Sequence, residues 1–186
     1  MAMSNKKIAA LVTDGFEQVE LTGPLEALRQ AGAQVTIVSP KAGPIQGMNH
    51  DQKGDAFTPD RQLSATRPEE FDALLLPGGV ANPDALRMDR AALAFVGHFA
   101  RSGKPIAAIC HAPWTLIEAG AVKGRRLTSW PSLRTDLTNA GATWLDQAVV
   151  QDGALITARK PDDIPAFSDA FIGLLKACSG PERRVA

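Results

Sequence analysis

Five short apolar runs, each followed by a helical spacing or a turn-rich connection, constrain this chain more than any other feature. They are KIAALVT (7–13), QVTIVSP (34–40), FDALLLPGG (71–79), PIAAIC (105–110) and ALITAR (154–159). Runs this short and this continuously apolar suit strands buried on both faces of a sheet. The first helical stretch, EQVELTGPLEALRQAGA (17–33), spaces Val19, Leu21, Leu25 and Leu28 along one side and ends at Gly32, with Pro24 set to bend or start its regular part. Further helices are predicted over 84–103, 111–120, 132–142 and 163–180. Alternation of this kind predicts an α/β fold: a mainly parallel sheet flanked by helices in three layers. The segment from Lys41 to Glu70 reads instead as a decorated connection with hairpin pieces, and QDG (151–153) between two apolar runs marks a second hairpin.

With 186 residues the chain suits one domain over 1–186, and no repeat or linker divides it. Lys plus Arg and Asp plus Glu both total 20, so net charge gives no argument for nucleic acid or an anionic membrane. Lys123, Arg125 and Arg126 read as a solvated loop. The opening MAMSNKKIAALV reads as a first strand rather than an export signal, and no apolar stretch approaches the roughly 20 residues of a membrane span, so the expected location is the cytoplasm. Two cysteines make no disulfide framework, and no spaced Cys/His set suggests a metal; none is expected, nor any cofactor. Cys178 near the chain end reads as structural, and His50 and His98 as surface or packing residues.

In an open α/β sheet, ligands gather at the carboxyl ends of the strands. Three such ends carry chemistry here: DGFE with Glu17, the Gly78–Gly79 pair, and Cys110 followed by His111. A cysteine at a strand-to-helix turn lies near unsatisfied amides and the positive end of a helix, which favours a thiolate. Gly78 and Gly79 can bring amides close to an oxyanion, and a buried Glu17 can pass a proton to or from the sulfur. Each residue also has a plainer reading. Cys110 can be a packed small side chain, the glycines a tight turn, Glu17 a helix-start carboxylate and Asp84 a helix cap. Trp114 and Trp130 either wall an apolar pocket or pack without touching substrate.

Taken in order, DGFEQVEL, DALLLPGG, GKPIAAICHAPW and TARKPDDIPAF resemble the PfpI family over nearly the whole chain. That family contains intracellular peptidase-like proteins, bacterial stress proteins and relatives described as deglycases, in the class I glutamine-amidotransferase-like, flavodoxin-like superfamily. The resemblance implies Cys110 as nucleophile at an elbow, His111 beside it, Glu17 as the acid contacting the sulfur, and Gly78 and Gly79 on the oxyanion side. It also implies Asp84 reaching His111 of a neighbouring subunit, within a homodimer or a larger homo-oligomer. Two departures stand out: Ala112 occupies the position of a glycine in the common CHG, and Asp84 is shorter than the glutamate of some peptidase-like relatives. No histidine follows His111, which excludes the distant histidine and glutamate of glutamine amidotransfer.

Three functions compete at this stage. A cofactor-free cysteine enzyme would attack glycation adducts of methylglyoxal or glyoxal, free dicarbonyls, or peptide bonds in peptides and glycated proteins. Carbonyl chemistry is favoured, because it asks less of a fully built triad. A redox sensor would use an accessible Cys110 thiolate as its oxidisable group. A stress-response chaperone with a vestigial pocket would need neither.

Overall fold

The structure is a computed structural model and describes residues 3–178. In chain order its strands are β1 (Lys7–Leu11), β2 (Phe16–Glu17), β3 (Gln34–Ser39), β4 (Ile45–Asn49), β5 (Gln52–Phe57), β6 (Arg61–Gln62), β7 (Ala73–Leu76) and β8 (Ile106–Ile109). Four more follow: β9 (Arg126–Leu127), β10 (Thr143–Trp144), β11 (Val149–Asp152) and β12 (Leu155–Ala158). The helices are α1 (Gln18–Gln30), α2 (Ala81–Met88), α3 (Arg90–Ser102), α4 (Pro113–Glu118), α5 (Arg134–Asn139) and α6 (Ile164–Ala177).

The central sheet runs β11-β12-β8-β7-β1-β3-β6. Every pairing in it is parallel except the β11–β12 hairpin, which turns at QDG with Gly153 at positive φ. The strict alternation of strand side chains divides the core in two. Ile8, Ala10, Leu75, Ala107, Ile109 and Ile156 face the layer of α1 and α6, where Leu21, Leu28, Phe167 and Phe171 cover them. Ala9, Leu11, Leu74, Leu76, Ile106 and Ala108 face the other side, under Phe95, Phe99, Leu116 and Leu137. This is the flavodoxin-like three-layer arrangement, with the sheet buried on both faces. Among the described residues, no helix is long and apolar enough to cross a membrane.

One local reading changes and one, the hairpin pieces of the 41–70 connection, gains its detail. The helix expected over 84–103 is two helices, because Asp89 has extended backbone and its carboxylate accepts hydrogen bonds from Ala91 N (2.7 Å) and Ala92 N (3.1 Å). An aspartate that caps the next helix interrupts the apolar spacing without disturbing it. The 41–70 connection folds β4 and β5 into an antiparallel hairpin that joins β2 in a separate three-stranded sheet above the strand ends. That hairpin turns at His50, whose φ is +58°.

Candidate active site

The carboxyl ends of β1, β7 and β8 are adjacent because those strands are neighbours in the sheet. Buried Asn82 ties two of them together: its Oδ1 accepts from Thr13 N (2.8 Å), and its Nδ2 donates to the carbonyls of Pro77 (2.9 Å) and Gly78 (3.1 Å). Cys110 follows β8 and takes φ +63°, a left-handed conformation that a cysteine adopts only under constraint. The constraint comes from both sides. Cys110 N donates to Ala158 O (3.0 Å) and Cys110 O accepts from Trp130 N (2.9 Å). Ala112 is helical at φ −54° and buried, so the elbow does not require the glycine found in related chains.

The acid at the sulfur is Glu20, not Glu17. Glu20 lies in the first turn of α1 and is fully buried; its Oε2 accepts from Gly78 N (2.9 Å) and its carboxyl interacts with the Cys110 thiol, each group shifting the other's pKa. Its Oε1 has no hydrogen-bond partner among the described residues, and the Cys110 thiol is the titratable group with which the carboxyl interacts most directly. Glu17 sits one turn earlier, half-buried at the pocket wall, where its Oε2 accepts from His50 N (3.1 Å). The reason is rotational. The buried stripe of α1 runs through Glu20, Leu21, Pro24 and Leu28, while Val19 is exposed. Reading that stripe from Leu21 and Leu28 with Pro24 included puts Glu20 on it, and an acid on a buried helical face was the available signal.

Burial pushes the Glu20 carboxyl up to about 8. It also pushes the Cys110 thiol above its usual range, and the Glu20 carboxylate adds to that shift, while bonds from the Gly79 and His111 amides oppose it. Desolvation at this elbow therefore works against the thiolate that the position alone favours. The helix that follows, α4, is only six residues long, and desolvation outweighs it. The two groups titrate as a unit.

His111 is buried, which lowers its pKa and favours neutral imidazole. Its Nδ1 lies 3.1 Å from Cys110 Sγ, and its Nε2 is 3.4 Å from Ser132 Oγ. Trp130 stacks on the ring at 5.9 Å and Trp114 packs against it at 5.2 Å. Trp130 lines the cavity, whereas Trp114 does not. Trp114 stands behind the imidazole, donates Nε1 to Asp136 (2.9 Å) and lies under the Arg87 guanidinium. Asp84 is exposed in the first turn of α2, and no hydrogen bond or ion pair joins it to His111 within the chain's described residues. Cys178, expected to be structural, is exposed just after α6.

The glycines divide their work. The Gly78 amide donates to Glu20 Oε2 (2.9 Å), and the Gly79 amide faces both the Glu20 carboxyl and the sulfur, which the His111 amide also faces. A Cβ on Gly78 would lie 2.6 Å from Glu20 Oε2, 2.7 Å from Cys110 Cβ and 2.7 Å from Ile109 O. Gly79, at φ +75°, would meet Gly15 O at 2.5 Å and Glu17 N at 2.6 Å. Gly78→Ala is accordingly expected to cost about 2–4 kcal/mol in unfolding free energy, because backbone and the buried acid are both displaced. Urea unfolding of the variant measures it, and a loss under about 0.5 kcal/mol would show that the turn yields freely.

The resulting cavity has a volume of about 460 Å³. Its floor is Cys110, Glu20 and Gly79, and Met48, His50 and Trp130 are among the residues of its walls. Met48 and His50 come from the β4–β5 hairpin region, which sequence reading left as an undecided connection.

Residues 6–174 match the family described as DJ-1/PfpI family. The chain is 46% identical over 176 residues to Protein/nucleic acid deglycase 2 of Escherichia coli strain K12, covering 93% of this chain and 99% of that protein. It is 41% identical over 172 residues, 92% and 99% of the two lengths, to YraA of Bacillus subtilis strain 168, which bears a provisional cysteine protease name. Among solved structures it resembles Drosophila melanogaster DJ-1beta, with a TM-score of 0.84 and 29% identity over 94% of this chain and 91% of that one.

Proposed function

The chain belongs to the DJ-1/PfpI family, and on that premise we propose that it is a cysteine-dependent deglycase acting on dicarbonyl adducts of amines and thiols, with protection against glycation stress as its role. The observation that carries this reading is the Cys110 sulfur held at positive φ against a buried Glu20 carboxyl, on the floor of an apolar cavity. Cys110 bonds to a carbonyl carbon of the adduct, and the amides of Gly79 and His111 face the oxygen that takes up the electron pair. Glu20 passes its proton to that oxygen while taking up the one the sulfur gives up, and the transfer runs in reverse as the adduct collapses. Over the cycle one water enters, the dicarbonyl fragment leaves as a hydroxy acid and the carrier leaves as a free amine or thiol. Oxidation of one carbon is balanced by reduction of its neighbour, so no external oxidant is needed.

His111 is a positioning residue in this scheme. It holds Nδ1 near the sulfur, and the aromatic pair around it keeps the ring in place. We further propose a homodimer in which Asp84 of one subunit approaches His111 of the other, since Asp84 is exposed and has no such contact within its own chain.

The test is release of free thiol and hydroxy acid from the preformed methylglyoxal adduct of N-acetylcysteine, run beside a peptide panel. Turnover of the adduct without peptide cleavage is expected; cleavage of peptides alone would replace this reading with a peptidase. Sedimentation with Asp84→Asn in the same series tests the pairing. A monomeric wild type, or a variant with an unaltered rate and pH profile, would remove Asp84 from the site.

A further inference from the structure

The walls of the cavity carry a charge pattern that the chemistry on its floor does not require. No lysine or arginine lines it among the described residues, whereas Glu17 does. Of the cations in the flanking segments, Lys41 pairs with Asp14 (2.7 Å), Lys160 with Asp162 (2.9 Å), and Arg159 with Asp146 (2.8 Å) and Asp163 (3.0 Å); Lys53, opposite Met48 on β5, is exposed to solvent and does not line the cavity. Glu17 has no such partner among the described residues. Its one hydrogen bond comes from the backbone of His50, a neutral donor that fixes the carboxylate without neutralising it. Asp51, exposed next to His50 at the hairpin turn, adds a second unpaired acid on that side.

An anion entering such a cavity finds fixed negative charge and no counter-charge, in walls that are mostly apolar and screen weakly. A cation finds the reverse. Resting on the deglycase reading, we propose that the pocket selects by charge: it takes dicarbonyl adducts whose carrier is uncharged or bears an ammonium or guanidinium group, and it rejects those bearing a carboxylate or phosphate near the adduct.

Two measurements test this, and they fail separately. The first asks only about the pocket. In a Cys178→Ser background, Cys110 is alkylated with iodoacetamide or iodoacetate; in each case the sulfur forms a bond to carbon and iodide leaves. Rates at each reagent are divided by those of a small uncharged thiol. The neutral reagent is expected to be favoured about tenfold at low ionic strength, less in about 0.5 M salt, and about threefold less with Glu17→Gln. A ratio equal to that of the small thiol overturns the proposal. The second compares turnover of methylglyoxal adducts of cysteamine, 2-mercaptoethanol and thioglycolate, with kcat/KM expected to fall in that order. Equal values across the three also overturn it. If none is turned over while alkylation still discriminates, the deglycase reading fails and the charge pattern stands. If neither reagent reaches Cys110 and no adduct is consumed, both are overturned.

Discussion

Replacement of Cys110 by alanine is expected to lower kcat/KM on a methylglyoxal adduct by about a thousandfold or more, because it removes the sulfur that bonds to carbon on the cavity floor. The substitution deletes one buried sulfur and retains the Cβ. The backbone at φ +63° is held by the bonds to Ala158 and Trp130, which alanine keeps. The variant should therefore fold, with a thermal midpoint within a few degrees of wild type and unchanged far-ultraviolet circular dichroism. Retention of more than about a tenth of the wild-type rate by a folded variant would move the chemistry elsewhere.

Glu20→Gln carries the second large effect, and it has two readouts. The amide preserves shape and can still accept from Gly78 N, yet it cannot give up or regain a proton, so kcat/KM should drop about a hundredfold. Stability should move in the opposite sense as pH rises. Below the ordinary carboxyl value of 4.5, Glu20 is protonated in both folded and unfolded chains. Between 4.5 and about 8 it ionises in the unfolded chain and stays protonated in the folded one. The folded state then holds the extra proton, and its stability declines with rising pH across that window, by an amount on the order of 3–5 kcal/mol at its fullest. Glutamine does not titrate, so the variant should lose less stability than wild type between pH 5 and 8. Parallel stability curves for the two proteins would show that Glu20 is ionised in the folded state at neutral pH.

The layers and the strand ends were legible in the sequence, because buried parallel strands announce themselves as short apolar runs. β1, β3, β7, β8 and β12 fall within the five runs from which the sheet was read. Cys110 and the diglycine turn were legible for the same reason: each directly follows such a run. The choice between Glu17 and Glu20 was not. It depends on the rotation of α1 about its axis, and Val19, apolar but exposed, drew the predicted stripe away from the face on which Glu20 lies. Asp89 hid the break between α2 and α3 because a cap residue fits inside a helical spacing as easily as at its start. The β4–β5 hairpin was legible only as hairpin pieces without bounds, because Gly47 and Gly54 lie inside its strands and few of its residues are buried. Its contribution to the cavity could only be seen once β2 had given it a neighbour.

That hairpin divides the site between two structural lineages. The reacting atoms stand on the central sheet, where Asn82 clamps the ends of β1 and β7 and a single added methyl on Gly78 meets backbone. Met48 and His50 stand on a small sheet of their own, in contact with the large one mainly through β2 and α1. The hairpin holds to the start of α1 through Asp55 N, which donates to Gln18 Oε1 (2.7 Å), and His50 N, which donates to Glu17 Oε2 (3.1 Å), so the wall it forms is attached next to the acid. Changes in the hairpin's side chains would thus reshape the cavity wall first, and reach the floor only through those bonds to the start of α1.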